Sequence, residues 1–463
     1  MNSLTHTIAA VSTPPGKGGV ALIRMSGEEA LRIAGSAFSA ASRKKIQDYP
    51  ARTQIYGYIK DADGVIDDVM LCHFPAPASY TGEDTVEICT HGGVAVTAAV
   101  LELLFALGAV PAEAGEFTRR AFINGRLSLT EAEAIGGLLE AKSREQIRLC
   151  SVRSRGKLGE EIAKIRASLV DTMSSMYARI DYPDEDLGEF NDEELLTRLD
   201  DVLAITERLI GTYKTGRAVA EGVSTVICGK PNVGKSSLYN ALLGEDAAIV
   251  TSIAGTTRDV LTRQIPLGRV MLNLADTAGV RVGDDLDAVE RIGIEKSRKM
   301  MSDCELLFAL FDISRPLDDE DLDLIEAIDK LDCIKIAVLN KCDSAIDQDL
   351  SIISHFDERV TVSARDDALG ARIAITEIAQ RLFTDEKIHI GTDAIISSAR
   401  QFASLTRAHE LISIARSAIS AGVPQDAVST DVERALGSIS ELDGKTVSEE
   451  ICADIFSKFC VGK

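Results

Sequence analysis

Gly229-Lys230-Pro231-Asn232-Val233-Gly234-Lys235-Ser236 directly follows the apolar run Ser224-Thr225-Val226-Ile227-Cys228 and runs straight into Ser237-Leu238-Tyr239-Asn240-Ala241-Leu242-Leu243. The run before the loop has strand character and the segment after it has helical character, so the glycines fall at a strand-to-helix turn. In that setting backbone N–H groups converge on phosphate and the helix N-terminus adds partial positive charge. Lys235 neutralises the outer phosphate oxygens and Ser236 offers a hydroxyl to Mg2+. The expected nucleotide contacts on this loop are Asn232, Val233, Gly234, Lys235, Ser236 and Ser237.

Three further elements follow in the order such a site requires. Asp276-Thr277-Ala278-Gly279 ends the next expected strand, residues 270–275, and places a carboxylate near the metal and a glycine N–H near the γ-phosphate. Asn340-Lys341-Cys342-Asp343 ends a later strand, 335–339. A carboxylate at Asp343 accepts from guanine N1–H and N2–H2 together, donors that adenine does not present as a pair, so GTP is expected over ATP. Ser363-Ala364 follows the last strand, 359–362, and offers a backbone N–H to the guanine oxygen.

Thr251-Ser252-Ile253-Ala254-Gly255-Thr256-Thr257 reads as the mobile loop whose threonine joins the Mg2+ shell when the γ-phosphate is present. Val280 follows Gly279, where a Ras-type arrangement places a water-orienting Gln. An apolar side chain cannot orient water, so catalysis must come from elsewhere. Asp284, Asp285, Asp287 and Glu290 are the acidic candidates nearby, and a solvated acidic face explains the same cluster.

Residues 223–384 alternate buried-type strands with amphipathic helices, which predicts a mostly parallel sheet with helices on both faces. On either side the texture differs. The first 125 residues alternate short apolar runs (20–24, 54–59, 69–74 and 85–89) with Gly- and Pro-rich turns, and carry helical stretches at 27–40 and 94–107, an α+β module. Ser128-Leu129-Thr130-Glu131 has capping-box spacing and opens a helical region with no proline before Pro183. A second helical region starts near 394, with apolar residues at three- and four-residue steps, followed by helices over 425–442 and 446–459. The fold class expected is a multidomain α/β chain. An N-terminal α+β module (1–125) precedes a discontinuous helical domain (126–221 and 385–463) into which a Ras-like P-loop GTPase domain (222–384) is inserted.

The net charge of −22 is spread over all three regions, so none has the positive balance of an autonomous nucleic-acid binder. No apolar run reaches the length of a membrane span and the start shows no export signal, which places the chain in the cytoplasm with no membrane partner. The nine cysteines include no Cys-x-x-Cys pair and read as mostly buried reduced thiols.

These motifs, with both ends of the chain, resemble the MnmE (TrmE) family of tRNA-modification GTPases. The resemblance is carried by Thr13-Pro14-Pro15-Gly16-Lys17-Gly18-Gly19-Val20, Tyr80-Thr81-Gly82-Glu83-Asp84 and His91-Gly92-Gly93. It extends through Gly115-Glu116-Phe117-Thr118-Arg119-Arg120, Ile253-Ala254-Gly255-Thr256-Thr257-Arg258-Asp259 and the terminal Phe459-Cys460-Val461-Gly462-Lys463. It implies K+-dependent pairing of two GTPase domains, with Asn232, Thr251, Ile253 and Thr256 holding K+, and Ser236 and Thr257 serving Mg2+. It also implies that Glu290, among the acidic candidates, fixes the attacking water.

For the N-terminal module the resemblance implies a homodimerising site for a tetrahydrofolate derivative (5,10-methylene- or 5-formyl-tetrahydrofolate) at Arg24, Glu87, Arg126 and Lys463. Position 126 is commonly Lys in the family pattern. Arg126 keeps the charge but presents a planar fork. Cys460 fits both a reactive thiol and a buried tail cysteine. The implied activity is GTP-driven modification of tRNA at C5 of the wobble uridine, with an aminomethyl or carboxymethylaminomethyl product, in a complex with the FAD/NADH-dependent partner MnmG. The rival from another class is an Era/Der-type ribosome-assembly GTPase; the single loop motif and the acidic helical C-terminal piece speak against it. A GTP switch with a degenerate folate site is the third reading.

Overall fold

The computed structural model describes residues 6–181, 192–244, 262–275, 303–445 and 449–462, and these form two compact units. The first gathers Met1–Glu140, Arg153–Ile205 and Ser404–Lys463; the second gathers Ala141–Val152 and Thr206–Ala403.

The first unit is built on a seven-stranded sheet of β1 (Ile8–Val11), β2 (Gly18–Ser26), β3 (Phe38–Ala40), β4 (Ile55–Lys60), β5 (Val65–Phe74), β6 (Thr85–Gly92) and β7 (Val110–Pro111), in the order β3-β4-β5-β6-β2-β1-β7. Pairing is antiparallel except for β1 with β7. Ile23, Met25, Leu71, Val86 and Ile88 are fully buried and pack with Ile33, Val100 and Leu104 of the helices Ala30–Ala37 and Val94–Ala106. Because a strand alternates faces, the same pattern turns Arg24 and Glu87 to the opposite side of the sheet.

The helix expected over 27–40 is shorter. Its apolar stripe, Ala30, Ile33, Ala34 and Ala37, ends at Ala37, and residues 38–40 instead alternate buried and exposed as β3. Gly57 makes that pairing possible, since a Cβ there would lie 2.5 Å from the Phe38 ring.

Ser128 and Glu131 form the expected reciprocal cap: the Ser128 N–H donates to Glu131 Oε2 at 2.7 Å and the Glu131 N–H to Ser128 Oγ at 3.3 Å. The helix they open, Leu129–Glu140, is followed by helices Arg144–Ser154 and Lys157–Asp181. Helix Lys157–Asp181 packs against helix Gln425–Asp443, which lies beyond the second unit in sequence, and Gly444 ends the latter with a left-handed φ of 89°. The last helix is Glu449–Ser457. The chain then returns to the first module. Val461 bridges to Ala114, Ser12 Oγ donates to Gly462 O at 2.8 Å, and a Cβ on Gly462 would fall 2.3 Å from Val11 O.

The helix expected from 394 begins later, as Ala399–Ser420. The Ser397 N–H donates to Gln401 Oε1 at 3.2 Å and the Gln401 N–H to Ser398 Oγ at 3.3 Å, so polar capping at 397–401 sets the start although Ile395 and Ile396 are fully buried.

The second unit carries a six-stranded sheet of β8 (Val223–Gly229), β9 (Thr262–Leu267), β10 (Val270–Ala275), β11 (Leu306–Asp312), β12 (Ile334–Asn340) and β13 (Glu358–Val362), in the order β13-β12-β11-β8-β10-β9. All pairs are parallel except the β9–β10 hairpin. Central β11 is buried on both faces, as a strand covered by helices on either side must be. Edge strand β9 escaped the sequence reading because it mixes polar residues with Pro266, which an edge tolerates.

Among the described residues, no helix is long and apolar enough to cross a membrane. Four cysteines are buried, three half-buried, and Cys342 and Cys460 exposed, so full burial holds for fewer than half of them, and of the two readings of Cys460 the buried tail cysteine does not hold.

Candidate functional site: a guanine-nucleotide loop and a paired-charge sheet face

β8 delivers the chain into the loop at Gly229, and helix Lys235–Leu243 begins immediately after Gly234. Three backbone positions of the loop have positive φ, Gly229 with 147°, Asn232 with 63° and Gly234 with 105°. Gly234 is required for a second reason: a Cβ there would stand 2.1 Å from Asn340 Nδ2. Asn340, at the end of β12 and 2% exposed, donates from Nδ2 to Val233 O at 2.8 Å and accepts at Oδ1 from the Ala364 N–H at 3.0 Å. One buried amide thereby fastens the phosphate loop to both loops expected to hold the base.

The remaining described nucleotide residues fall around that clasp. Lys235 Nζ donates to Gly229 O at 2.8 Å and Lys230 O at 2.7 Å, and burial lowers its pKa. Ser236 is exposed and Ser237 half-buried at the start of the helix. Asp343 accepts from Ser363 Oγ at 2.6 Å and from Ser344 Oγ at 2.8 Å, and these hydrogen bonds, Ser363 first, hold its carboxyl below the usual range. The Ala364 N–H expected to face the guanine oxygen is engaged by Asn340. Lys341 has a left-handed backbone, φ 64°, and its Nζ donates to Asp312 Oδ2 at 2.6 Å. Asp312 was not singled out in the sequence because it stands one residue beyond the apolar run that marks its strand.

Thr251, Ser252, Ile253, Ala254, Gly255, Thr256, Thr257, Asp276, Thr277, Ala278, Gly279, Glu290 and Lys463 lie outside the described residues. Hard oxygen donors suit both expected cations. Ser236 supplies a hydroxyl at the helix start, and Asn232 is an exposed amide on the loop.

In the first unit, Arg24 on β2 and Glu87 on β6 are register partners, and Arg24 Nε and Nη2 both donate to Glu87 Oε1, at 2.9 and 2.8 Å. The Arg24 guanidinium also lies 5.4 Å from the Tyr80 ring and 5.8 Å from the Phe117 ring. Arg126 is exposed, with its aliphatic stem 3.2 Å from the position of a Cβ on Gly82.

Beside this face lies a cluster that residue-by-residue reading missed. Fully buried Arg120 donates to Glu83 Oε2 at 3.1 Å and Glu116 Oε1 at 2.8 Å, and Ser26 Oγ donates to Glu83 Oε2 at 2.7 Å. The signal was present as two separate motifs, 80–84 and 115–120. Only the fold shows that they answer each other.

A strand–loop–helix phosphate cradle, tied by a strand-end Asn to an Asp-bearing base loop on a mostly parallel sheet, defines the P-loop GTP-binding class. The α+β module and discontinuous helical segments narrow it further. Residues 7–126 match the family described as "GTP-binding protein TrmE N-terminus" and residues 129–460 the "MnmE helical domain". The chain belongs to the MnmE family of tRNA modification GTPases. It is 38% identical over 459 residues to the tRNA modification GTPase MnmE of Lactococcus lactis subsp. cremoris (strain MG1363), covering 99% of this chain and 98% of that one. It is 35% identical over 460 residues to that of Clostridioides difficile (strain 630), covering 99% and 100%. Among solved structures, Era in complex with MgGDPNP and part of 16S ribosomal RNA is 23% identical, over 40% of this chain and 65% of that one, with a TM-score of 0.26. A likeness that slight carries no argument.

Proposed function

We propose that this chain hydrolyses GTP under K+ control and uses the resulting conformational change to modify the wobble uridine of tRNA. The observation that carries the reading is the match to tRNA modification GTPases over 99% of the chain, together with the Asn340 clasp on the nucleotide loop. The inserted GTPase domain, 222–384, pairs with that of a second copy. The N-terminal module, 1–125, forms the standing homodimer, and the helical pieces 126–221 and 385–463 transmit the movement.

In the nucleotide site, Lys235 exchanges its two carbonyl partners for phosphate oxygens and Asp343 takes the guanine N–H groups. Ser236, with Thr257, holds Mg2+, which neutralises phosphate charge. Asn232, with Thr251, Ile253 and Thr256, holds K+, which supplies the positive charge an arginine finger brings elsewhere. Glu290 orients the attacking water, a part that Val280 cannot play.

Arg24, Glu87, Arg126 and Lys463 bind the tetrahydrofolate derivative that carries the one-carbon unit. Glu87 is suited to accept from pterin amino groups because Arg24 holds its carboxylate in place through Oε1. The FAD-dependent partner MnmG provides the redox step and most of the tRNA contact in the cytoplasm, in keeping with the net charge of −22.

The test is GTP turnover by the full-length protein in K+ and in Na+ at equal ionic strength. Turnover should be suppressed in Na+, and Asn232→Ala should remove the difference between the two cations. Equal turnover in both would remove the K+ mechanism.

A further inference from the structure

The geometry points to a chain of charges that ties the phosphate end of the nucleotide site to its base end, with Asp312 as a positioning residue for Lys341. This rests on the reading of the loop as a guanine-nucleotide site.

At the phosphate end, Lys230 lies on the loop itself and pairs with Asp318. Asp318 is also the N-cap of helix Asp319–Asp329: its Oδ1 accepts from the Asp321 N–H at 3.2 Å, and Asp321 Oδ2 accepts from the Asp318 N–H at 3.2 Å. The cation therefore grips the rigid start of a helix. Arg315 continues the chain, with Nη1 donating to Asp318 Oδ2 at 2.8 Å and Nη2 3.4 Å from Asp321 Oδ2. Its Nε stands 3.9 Å from Asp312 Oδ2, the loosest link.

At the base end the bonds tighten. Asp312 Oδ2 accepts from Lys341 Nζ at 2.6 Å, while Oδ1 accepts the Ser314 N–H at 3.0 Å and Ser314 Oγ–H at 2.6 Å. Lys341 is two residues from Asp343, the expected guanine reader.

The two ends of this chain are anchored in buried groups. Asp312 is 6% and Asp321 0% exposed, and Asp321 Oδ1 has no hydrogen-bond partner. Asp318 and Arg315 between them are 49% and 36% exposed, so it is the two buried carboxylates, costly to leave unpaired, that hold the chain's geometry and couple its links. Shifting Lys230 when phosphate binds should therefore be felt through Asp318, Arg315 and Asp312 at Lys341. Its adjacent loop sets base selectivity.

The discriminating quantity is the affinity ratio of GDP to IDP, which differ only in the guanine N2 amino group, measured by calorimetry on the full-length protein. Lys230→Met, on the phosphate loop, should lower that ratio at least threefold, and Lys230→Arg should restore it. Asp312→Asn should lower it by a similar factor, and the double variant should fall no further than the larger single effect, the signature of one coupled network. Because Lys230 also lies 3.1 Å from Glu320 Oε2, Asp318→Asn combined with Glu320→Gln weakens the same first link should Lys230→Met not fold. An unchanged ratio, equal weakening of both nucleotides, or single effects that multiply in the double variant would overturn the relay. Absence of GDP binding in the parent protein would instead overturn the nucleotide reading itself.

Discussion

Asn340 bonds two loops at once, Val233 O through Nδ2 at 2.8 Å and the Ala364 N–H through Oδ1 at 3.0 Å. Both bonds are buried, so Asn340→Ala strands a carbonyl and an N–H without water to replace the lost partner. Each stranded group costs about 1–3 kcal/mol. Thermal unfolding of the variant should show that loss, and calorimetry should show GDP affinity reduced by about tenfold or more. An Asn340→Ala protein with parental stability and affinity would remove the clasp from the account.

Arg24 and Glu87 form the second pair. Arg24→Ala leaves Glu87 without its guanidinium, and Glu87→Gln removes the anion expected to read the pterin. Titration with a tetrahydrofolate derivative should show binding weakened at least tenfold in each, with GTP hydrolysis by the isolated protein unchanged. Tight binding indifferent to both substitutions would support a GTP switch with a degenerate folate site.

The pH dependence follows from carboxylates held low. Hydrogen bonding from Lys230 brings Asp318 from 3.8 to about 2, and Asp343 is also lowered. For Asp312 burial pushes upward, but bonds from Lys341 and Ser314 outweigh it and the net shift is downward. Their folded pKa values lie below the unfolded ones, so the stability they confer is complete above about 4 and is lost as pH falls toward 2. His91 runs the other way. Its bond to Asp67 raises its pKa above 6.5, so that contribution is complete below 6.5 and fades as pH rises through the raised value. Denaturant unfolding at pH 5 and pH 3, and an NMR titration of His91 with and without Asp67→Asn, check both directions.

Glu290 carries the catalytic prediction because Val280 cannot orient water. Glu290→Ala should leave GTP binding intact and slow single-turnover hydrolysis by ~10²–10⁴, the scale of a positioned acid–base group. Near-normal hydrolysis would return the role to Asp284, Asp285 or Asp287.

How much of this the sequence disclosed depended on whether the information was local. Gly234, Lys235, Asn340 and Asp343 are spaced by the strand ends they occupy, and strand periodicity is readable over five or six residues. The Ser128–Glu131 cap was legible for the same reason. Strand β3 reads as helix because three residues cannot outweigh the apolar stripe before them, and Gly57, which admits Phe38, is nineteen positions away. Arg120 looked like one more cation until the fold placed it between Glu83 and Glu116. Asp312 likewise acquires meaning from Lys341, one residue beyond its register partner Asn340 on the neighbouring strand.

This chain is a GTPase of tRNA modification. The most direct measurement is nucleoside analysis of bulk tRNA from cells lacking the chain. C5-substituted wobble uridines should be missing, restored by the parent chain and not by Glu290→Ala. Unchanged C5-modified uridines in the deletion strain would contradict the account.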